Sequence, residues 1–327
     1  MTADSITERG IISELGRIFR SPPPPRGMGD DCALIRHCPD GLLISTDMLS
    51  ESTHFSSHMN GYQKGRMAVS VNLSDIAAMG GKPVAMVVSL GFPHGTGIGE
   101  IRRVASGMAS CARAYGLQII GGDTKLAKEL TIAVTVMGKT TGRPLLRSSA
   151  KPGELVAITG RVGEAAADFI NIKKGKRPRK NCRLFNPVPR LEEGQALSTS
   201  RAASAAIDMT DGLALSAWYI SRASGVRLVI DSDAVPVSPL LMKLDLNGHE
   251  WEDAVFHWGG DYELLFTARS RKVLERTASE YGLHVTVIGM VEKGSGVVLK
   301  TGSSVRMLDE RGYDAFGAGR TFTSGRH

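Results

Sequence analysis

Apolar and polar positions follow two different periods along this chain. Between Ser5 and Phe19 the apolar residues Ile11, Ile12, Leu15, Ile18 and Phe19 fall three to four apart, as on one helix face, and Ser5 with Glu8 has the spacing of a capping box. The run Pro22 to Pro25 stops that helix. Short apolar, β-rich segments follow at about 42 to 46, 84 to 92 and 130 to 138, with helical patterns at about 62 to 79 and 98 to 115 between them. The stretch GRPLLRSSAKPG (142–153) reads as a linker. Beyond it come a strand at 155–159, a helix after Gly160, helices from about 191 and 211, and strands at 226–231, 263–268 and 283–291. The last 25 residues, rich in Gly, Arg and Ser, read as irregular. The alternation predicts an α/β (α+β) chain with one domain over 1–149 and a second over 150–327.

Composition fits that picture. With 327 residues, 42% hydrophobic and 22% charged, the chain is long enough for two cores and has the make-up of a folded globular protein. No apolar run approaches the roughly 18 residues of a membrane span, and MTADSITERG has no signal-peptide pattern, so a cytoplasmic protein with no membrane partner is expected. Cys32, Cys38, Cys111 and Cys182 form no CxxC pair or zinc-type spacing. The net charge of +7 favours an anionic partner weakly. Part of it lies in Lys173, Lys174, Lys176, Arg177, Arg179, Lys180 and Arg183, a solvated loop or a phosphate-attracting one, and the scarcity of aromatic residues there argues against nucleic acid.

The distinctive feature is where aspartate falls: GMGDD (27–31), ISTDM (44–48), NLSDIAAMG (72–80), IIGGDT (119–124) and DMTDG (208–212). Any one of these is an ordinary turn, since Asp and Gly suit turns for local backbone reasons. Five dispersed carboxylate motifs are the ligand type that magnesium prefers when it is held by a few carboxylates plus substrate phosphates. Rival nucleotide signatures fail: five positions before Gly138 of MGKT stands Ala133, not the glycine a P-loop needs, and GTGIG (95–99) has the wrong spacing for a dinucleotide fingerprint. No GxSxG, HExxH or kinase HRD and DFG set is present. His54 and His58, four apart, read as an exposed pair. The residues alone therefore reach magnesium-assisted phosphoryl transfer with an unspecified acceptor.

The order and wording of the motifs resemble the thiamine-monophosphate kinase family, of the superfamily that includes aminoimidazole ribonucleotide synthetase. GMGDDCALI, LLISTDMLSESTHF, NLSDIAAMGGKP, IIGGDT, LLRSSAKPGE, ITGRVGEAA, NPVPRL, AIDMTDGL, GGDYELLFT and RGYDAF carry the resemblance over almost the whole chain. It implies a two-domain aminoimidazole ribonucleotide synthetase-like fold, and a homodimer whose N-terminal sheets pair into a barrel. Several Mg2+ ions would be held by Asp30, Ser45, Thr46, Asp47, Asp75, Asp123, Asp208 and Asp211. ATP, the co-substrate, would meet Gly122, Asp123, Arg147 and Thr210, and thiamine monophosphate would meet His54, Asp261, Glu263 and Tyr313. The implied reaction is direct in-line transfer of the γ-phosphate to give thiamine diphosphate, with no covalent or general-base residue. Departures stand at WGGDYEL, where the family has GGEDYEL, and at TDGL and GGDTK in place of SDGL and GGDTT. The alternatives are another acceptor within the same superfamily, or a non-catalytic nucleotide-binding relative.

Overall fold

The computed structural model describes residue 18, residues 30–35 and residues 41–314. The helix expected over 5–19 and the proline run after it lie outside these, apart from Ile18, which is helical. The first sheet holds β1 (Ala33–Ile35), β2 (Leu42–Ser50), β3 (Gly81–Phe92), β4 (Ile119–Leu126) and β5 (Thr131–Thr140), in the order β1-β2-β5-β3-β4. Pairing is antiparallel except between β3 and β4. Those two run parallel because the helix between them, Ile98–Ala114, carries the chain back to the starting edge.

In β5, Ile132, Val134 and Val136 are fully buried while Ala133, Thr135 and Met137 are only half-buried. The period of two thus packs one face of the sheet on helices α1 (Gly61–Ala78) and α2 (Ile98–Ala114) and leaves the other barely covered. Helix α1 starts at a capping box: Asn60 Oδ1 accepts from Gln63 N and Gln63 Oε1 accepts from Asn60 N, both at 3.0 Å. It then runs buried on nearly all sides. A Cβ on Gly65 would stand 2.1 Å from Val104 O, and one on Gly107 would stand 1.9 Å from Tyr62 O, so only glycine lets α1 and α2 approach this closely.

The second sheet has the order β12-β11-β8-β10-β6-β9-β7: β6 (Leu155–Thr159), β7 (Ala203–Asp208), β8 (Arg227–Asp231), β9 (Leu264–Ala268), β10 (Val285–Glu292), β11 (Gly296–Thr301) and β12 (Ser304–Met307). Of the helices α3 (Glu164–Lys173), α4 (Leu191–Thr199), α5 (Leu213–Ser224) and α6 (Arg271–Tyr281), α5 packs on β7, β8, β9 and β11 of this sheet, while α4 lies against α1, β3 and α6. One hydrophobic core joins Leu73, Ile76 and Ala77 of α1 to Ala157 of β6, Phe266 of β9 and Leu274 of α6. The last turn of α1 is thereby fixed against α4 and β7, and this junction positions the site.

Most elements fall within a few residues of their sequence-based positions. Not foreseen were β1, β4, β7, the hairpin β11–β12 and α6. Strand β4 is a sheet edge exposed along most of its length, so it shows no alternation of apolar and polar residues. The helix expected from 211 starts at Leu213, after Gly212 at φ +102°.

Candidate active site

Four chain segments far apart in sequence deliver carboxylates to one place. Asp31 precedes β1, Asp47 lies in β2, Asp75 lies in the last turn of α1 and Asp208 ends β7. Carboxylate oxygens of Asp31, Asp75 and Asp208 lie within 4.8 Å of one another. The site is braced from behind. Ser45 Oγ donates to Asp75 Oδ2 at 2.5 Å, and the Asp47 amide donates to the buried Asn72 Oδ1 at 2.9 Å. Arg147 grips Asp31 through Nε at 3.1 Å and through a terminal guanidinium nitrogen at 2.7 Å, while its amide donates to Asp30 Oδ1 at 2.9 Å.

This grouping is unfavourable on its own. At an effective dielectric of about 20, two full charges 4.8 Å apart repel by about 3 kcal/mol. Asp75 also sits at the negative end of the α1 dipole, where a carboxylate is disfavoured. Burial, followed by the charges of Asp47, Asp208 and Asp31, pushes the Asp75 carboxyl well above the usual carboxylate range. Burial and Asp31 do the same to Asp208, with the nearby Ser74 hydroxyl and Arg147 pulling the other way. Asp208 Oδ2 and Asp30 Oδ2 are buried without a hydrogen-bond partner. An all-oxygen donor set, with orphaned lone pairs and more negative charge than Arg147 can offset, fits a hard divalent cation such as magnesium.

The other expected site residues are distributed unevenly. Strand alternation turns Thr46 to the opposite face from Ser45 and Asp47, where its hydroxyl donates to Val134 O at 3.0 Å. Thr210 and Asp211 lie in the loop after Asp208, and the Asp211 carbonyl accepts from Tyr313 N at 3.1 Å, which fixes Tyr313 beside that loop. Gly122 and Asp123 are on β4, level with Asp47 and Met48 respectively across three strand spacings, or roughly 14 Å. The chain itself does not bring them to the cluster. His54 ends a short turn after β2, with Nδ1 2.6 Å from Thr53 Oγ1.

Asp261 and Glu263 have internal partners. Asp261 accepts from Gly163 N at 2.6 Å and Ala165 N at 3.0 Å, capping the start of α3. Glu263 accepts from Thr159 Oγ1 at 2.7 Å and pairs with Arg183 and Arg190. Between these two anchors Tyr262 is held at φ +54°, where a side chain is strained. Burial, followed by the charges of Asp208, Asp47, Asp211 and Asp75, pushes its phenol well above its usual range. Of the basic stretch, Arg179 and Arg183 are likewise tied to acids, Asp168 and Glu263, while the lysines and Arg177 stay exposed.

Residues 29–140 match the family model for the N-terminal domain of AIR synthase related protein. The chain is 35% identical over 304 residues to thiamine-monophosphate kinase of Pyrococcus horikoshii, covering 92% of this chain and 95% of that one. It is 35% identical over 307 residues to the Bacillus subtilis enzyme of the same name, covering 89% and 93%. The chain belongs to the thiamine-monophosphate kinase family. A solved structure of AaThiL complexed with AMPPCP and TMP superposes with a TM-score of 0.82 at 28% identity, covering 96% of this chain and 99% of that one.

Membership in the thiamine-monophosphate kinase family makes the chain a kinase and agrees with the α/β architecture of two sheets. Three residues at or near this cluster were not among those expected from sequence: Asp31, Asn72 and Tyr262. Asp31 was visible as the second aspartate of GMGDD, and Asn72 as the first residue of NLSD. Tyr262 gave no signal, because its importance lies in a backbone conformation that glycine usually takes. Cys32, inside the same motif as Asp31, is buried, and burial followed by the surrounding aspartates pushes its thiol well above its usual range.

Proposed function

We propose that this chain transfers the γ-phosphoryl group of ATP to the phosphate of thiamine monophosphate, yielding thiamine diphosphate and ADP. The single observation that carries the reading is the convergence of Asp31, Asp47, Asp75 and Asp208, in a chain whose relatives of this name match it over about nine-tenths of its length. Asp30, Asp31, Ser45, Asp47, Asp75 and Asp208 would hold magnesium, with Thr46 and Asp211 at the margin. When bound, magnesium supplies positive charge that offsets the triphosphate.

The remaining chemistry is positioning. The acceptor is already an anionic phosphate, so it needs little help from a base. Arg147 and Thr210 border the cluster and would orient the nucleotide. Tyr313, beside Asp211, offers a ring face to a thiazolium cation. His54 lies in the turn after β2, the strand that carries Asp47. Asp261 and Glu263 act by holding Tyr262 and the 258–263 loop in place.

We further propose a cytoplasmic homodimer. Met48, Val84 and Ile120 are more than half exposed on the first sheet, and β4 is an unpaired edge, both of which a second copy would cover. That arrangement gives Gly122 and Asp123, remote from the cluster of their own chain, a partner's site to serve. Light scattering that reports a monomer would remove this part of the reading.

Another acceptor is favoured by one observation: Gly260 occupies the place of the acidic residue in GGEDYEL. Mass detection of thiamine diphosphate from ATP, magnesium and thiamine monophosphate separates the two. Turnover of ATP with a different phosphorylated acceptor, and none with thiamine monophosphate, would reject the first.

A further inference from the structure

Strand β7 carries Asp208 at one end, and at the other, about 17 Å away along five residues, lies a cavity of opposite charge. Its volume is about 360 Å³ and its lining is Arg143, Arg201, Ala203 and Arg269. Three arginines from three separate segments meet there: the stretch leaving the first sheet, the turn between α4 and β7, and the end of β9.

Their charges are unequally compensated. Arg269 donates through Nε to Ser204 Oγ at 3.0 Å and lies 3.5 Å from Glu154, so its charge is matched. Arg143 and Arg201 have no carboxylate partner among the described residues. Two positive charges therefore face one cavity unrelieved, where repulsion would ordinarily disperse them.

The backbones holding these two arginines are fixed. The Arg143 carbonyl accepts from Ser198 Oγ at 2.9 Å, and a Cβ on the preceding Gly142 would stand 2.8 Å from Ser198 O. Arg201 follows the C-terminus of α4 at φ +59°, the left-handed position where a helix usually places glycine. An arginine there, against local preference, lines the cavity from a set backbone. Planar guanidinium forks match tetrahedral oxyanions, and two uncompensated charges match a dianion.

We propose that this cavity is a second anion site, which takes a tetrahedral dianion such as the phosphate group of a small molecule. It is separate from the carboxylate cluster. Because its arginines come from the segment leaving the first sheet and from elements of the second, an occupant ties the two together.

The test uses the full chain in chelator, without nucleotide, where the metal-free carboxylate cluster repels anions. Sulfate, inorganic phosphate and glycerol phosphate are titrated by calorimetry and thermal unfolding, against sodium chloride at matched ionic strength. The expected result is saturable binding of about one equivalent with a rise in Tm, lost or weakened at least tenfold in Arg143→Ala and Arg201→Gly. Arg201→Gly suits its backbone conformation, so its ligand-free Tm should equal or exceed that of the wild type, which keeps a folding failure apart from a binding failure. Tighter binding of glycerol phosphate than of phosphate would identify a phosphorylated metabolite as the occupant, and the reverse would identify free phosphate. The proposal is overturned if none of the three anions binds saturably, if chloride works as well as sulfate, or if both variants respond like the wild type.

Discussion

Two sets of buried acids lie within one fold and behave in opposite ways. Glu263, Glu154 and Asp168 are each saturated: Glu263 by Thr159, Arg183 and Arg190, Glu154 by Ser204 and Thr267, Asp168 by Arg179 and the Arg183 amide. Asp75 and Asp208 instead face other aspartates, and Asp208 keeps an oxygen with no partner. Asp208 is as buried as the first set and Asp75 is half-buried, but what separates the two sets is the provision of partners. An acid with its own counter-charge holds structure together, whereas a group of acids short of counter-charge is poised for a cation and the phosphates that come with it.

The sharpest way to break this contrast is to neutralise one acid of each kind. Asp208→Asn should lower magnesium-dependent ADP release by at least about a hundredfold, the scale of losing a main electrostatic contact at phosphoryl transfer. In chelator its thermal midpoint should equal or exceed that of the wild type, because a repulsion has been removed. Glu263→Gln should do the reverse to stability. It leaves Arg183 and Arg190 facing a neutral group and should cost about 3 kcal/mol or more in denaturant unfolding.

Legibility in the sequence divides along the same line. Asp47, Asp75 and Asp208 stood out because each sits in a short motif with Gly, Ser or Thr, and strands such as β5 were readable from alternating burial. Which of the two consecutive residues Asp30 and Asp31 turns into the cluster was not readable, since Arg147, more than 100 positions away, decides it. Glu263 was equally opaque. Its partners Arg183 and Arg190 stand 80 and 73 positions earlier, and no local pattern announces that they close over it. Strand β4 and helix α6 escaped notice because an exposed edge and a largely polar helix leave a weak apolar period.

A smaller effect separates Asp261 from its saturated neighbour. Burial pushes its carboxyl up to about 6, against the pull of the Ala165 and Gly163 amides. With a folded pKa above the unfolded one, the folded state binds the extra proton. This group's contribution to stability is therefore full below about pH 4 and lost as pH rises through about 6, by about 3 kcal/mol. Asp261→Asn should flatten that part of the pH–stability curve, and an unchanged slope would place Asp261 with the ordinary ionised acids. The smallest effect belongs to an exposed pair, Lys125 with Asp123 at 3.5 Å. Lys125→Ala should change unfolding stability by less than about 0.5 kcal/mol.

The most direct measurement follows thiamine diphosphate by mass while magnesium is titrated into ATP, thiamine monophosphate and either wild-type protein or Asp75→Asn, with circular dichroism confirming that both are folded. Product should form with the wild type only when magnesium is present, and be reduced by orders of magnitude in the folded variant. Full product formation by Asp75→Asn, or magnesium-independent formation by the wild type, would contradict the assignment of the carboxylate cluster as the seat of phosphoryl transfer.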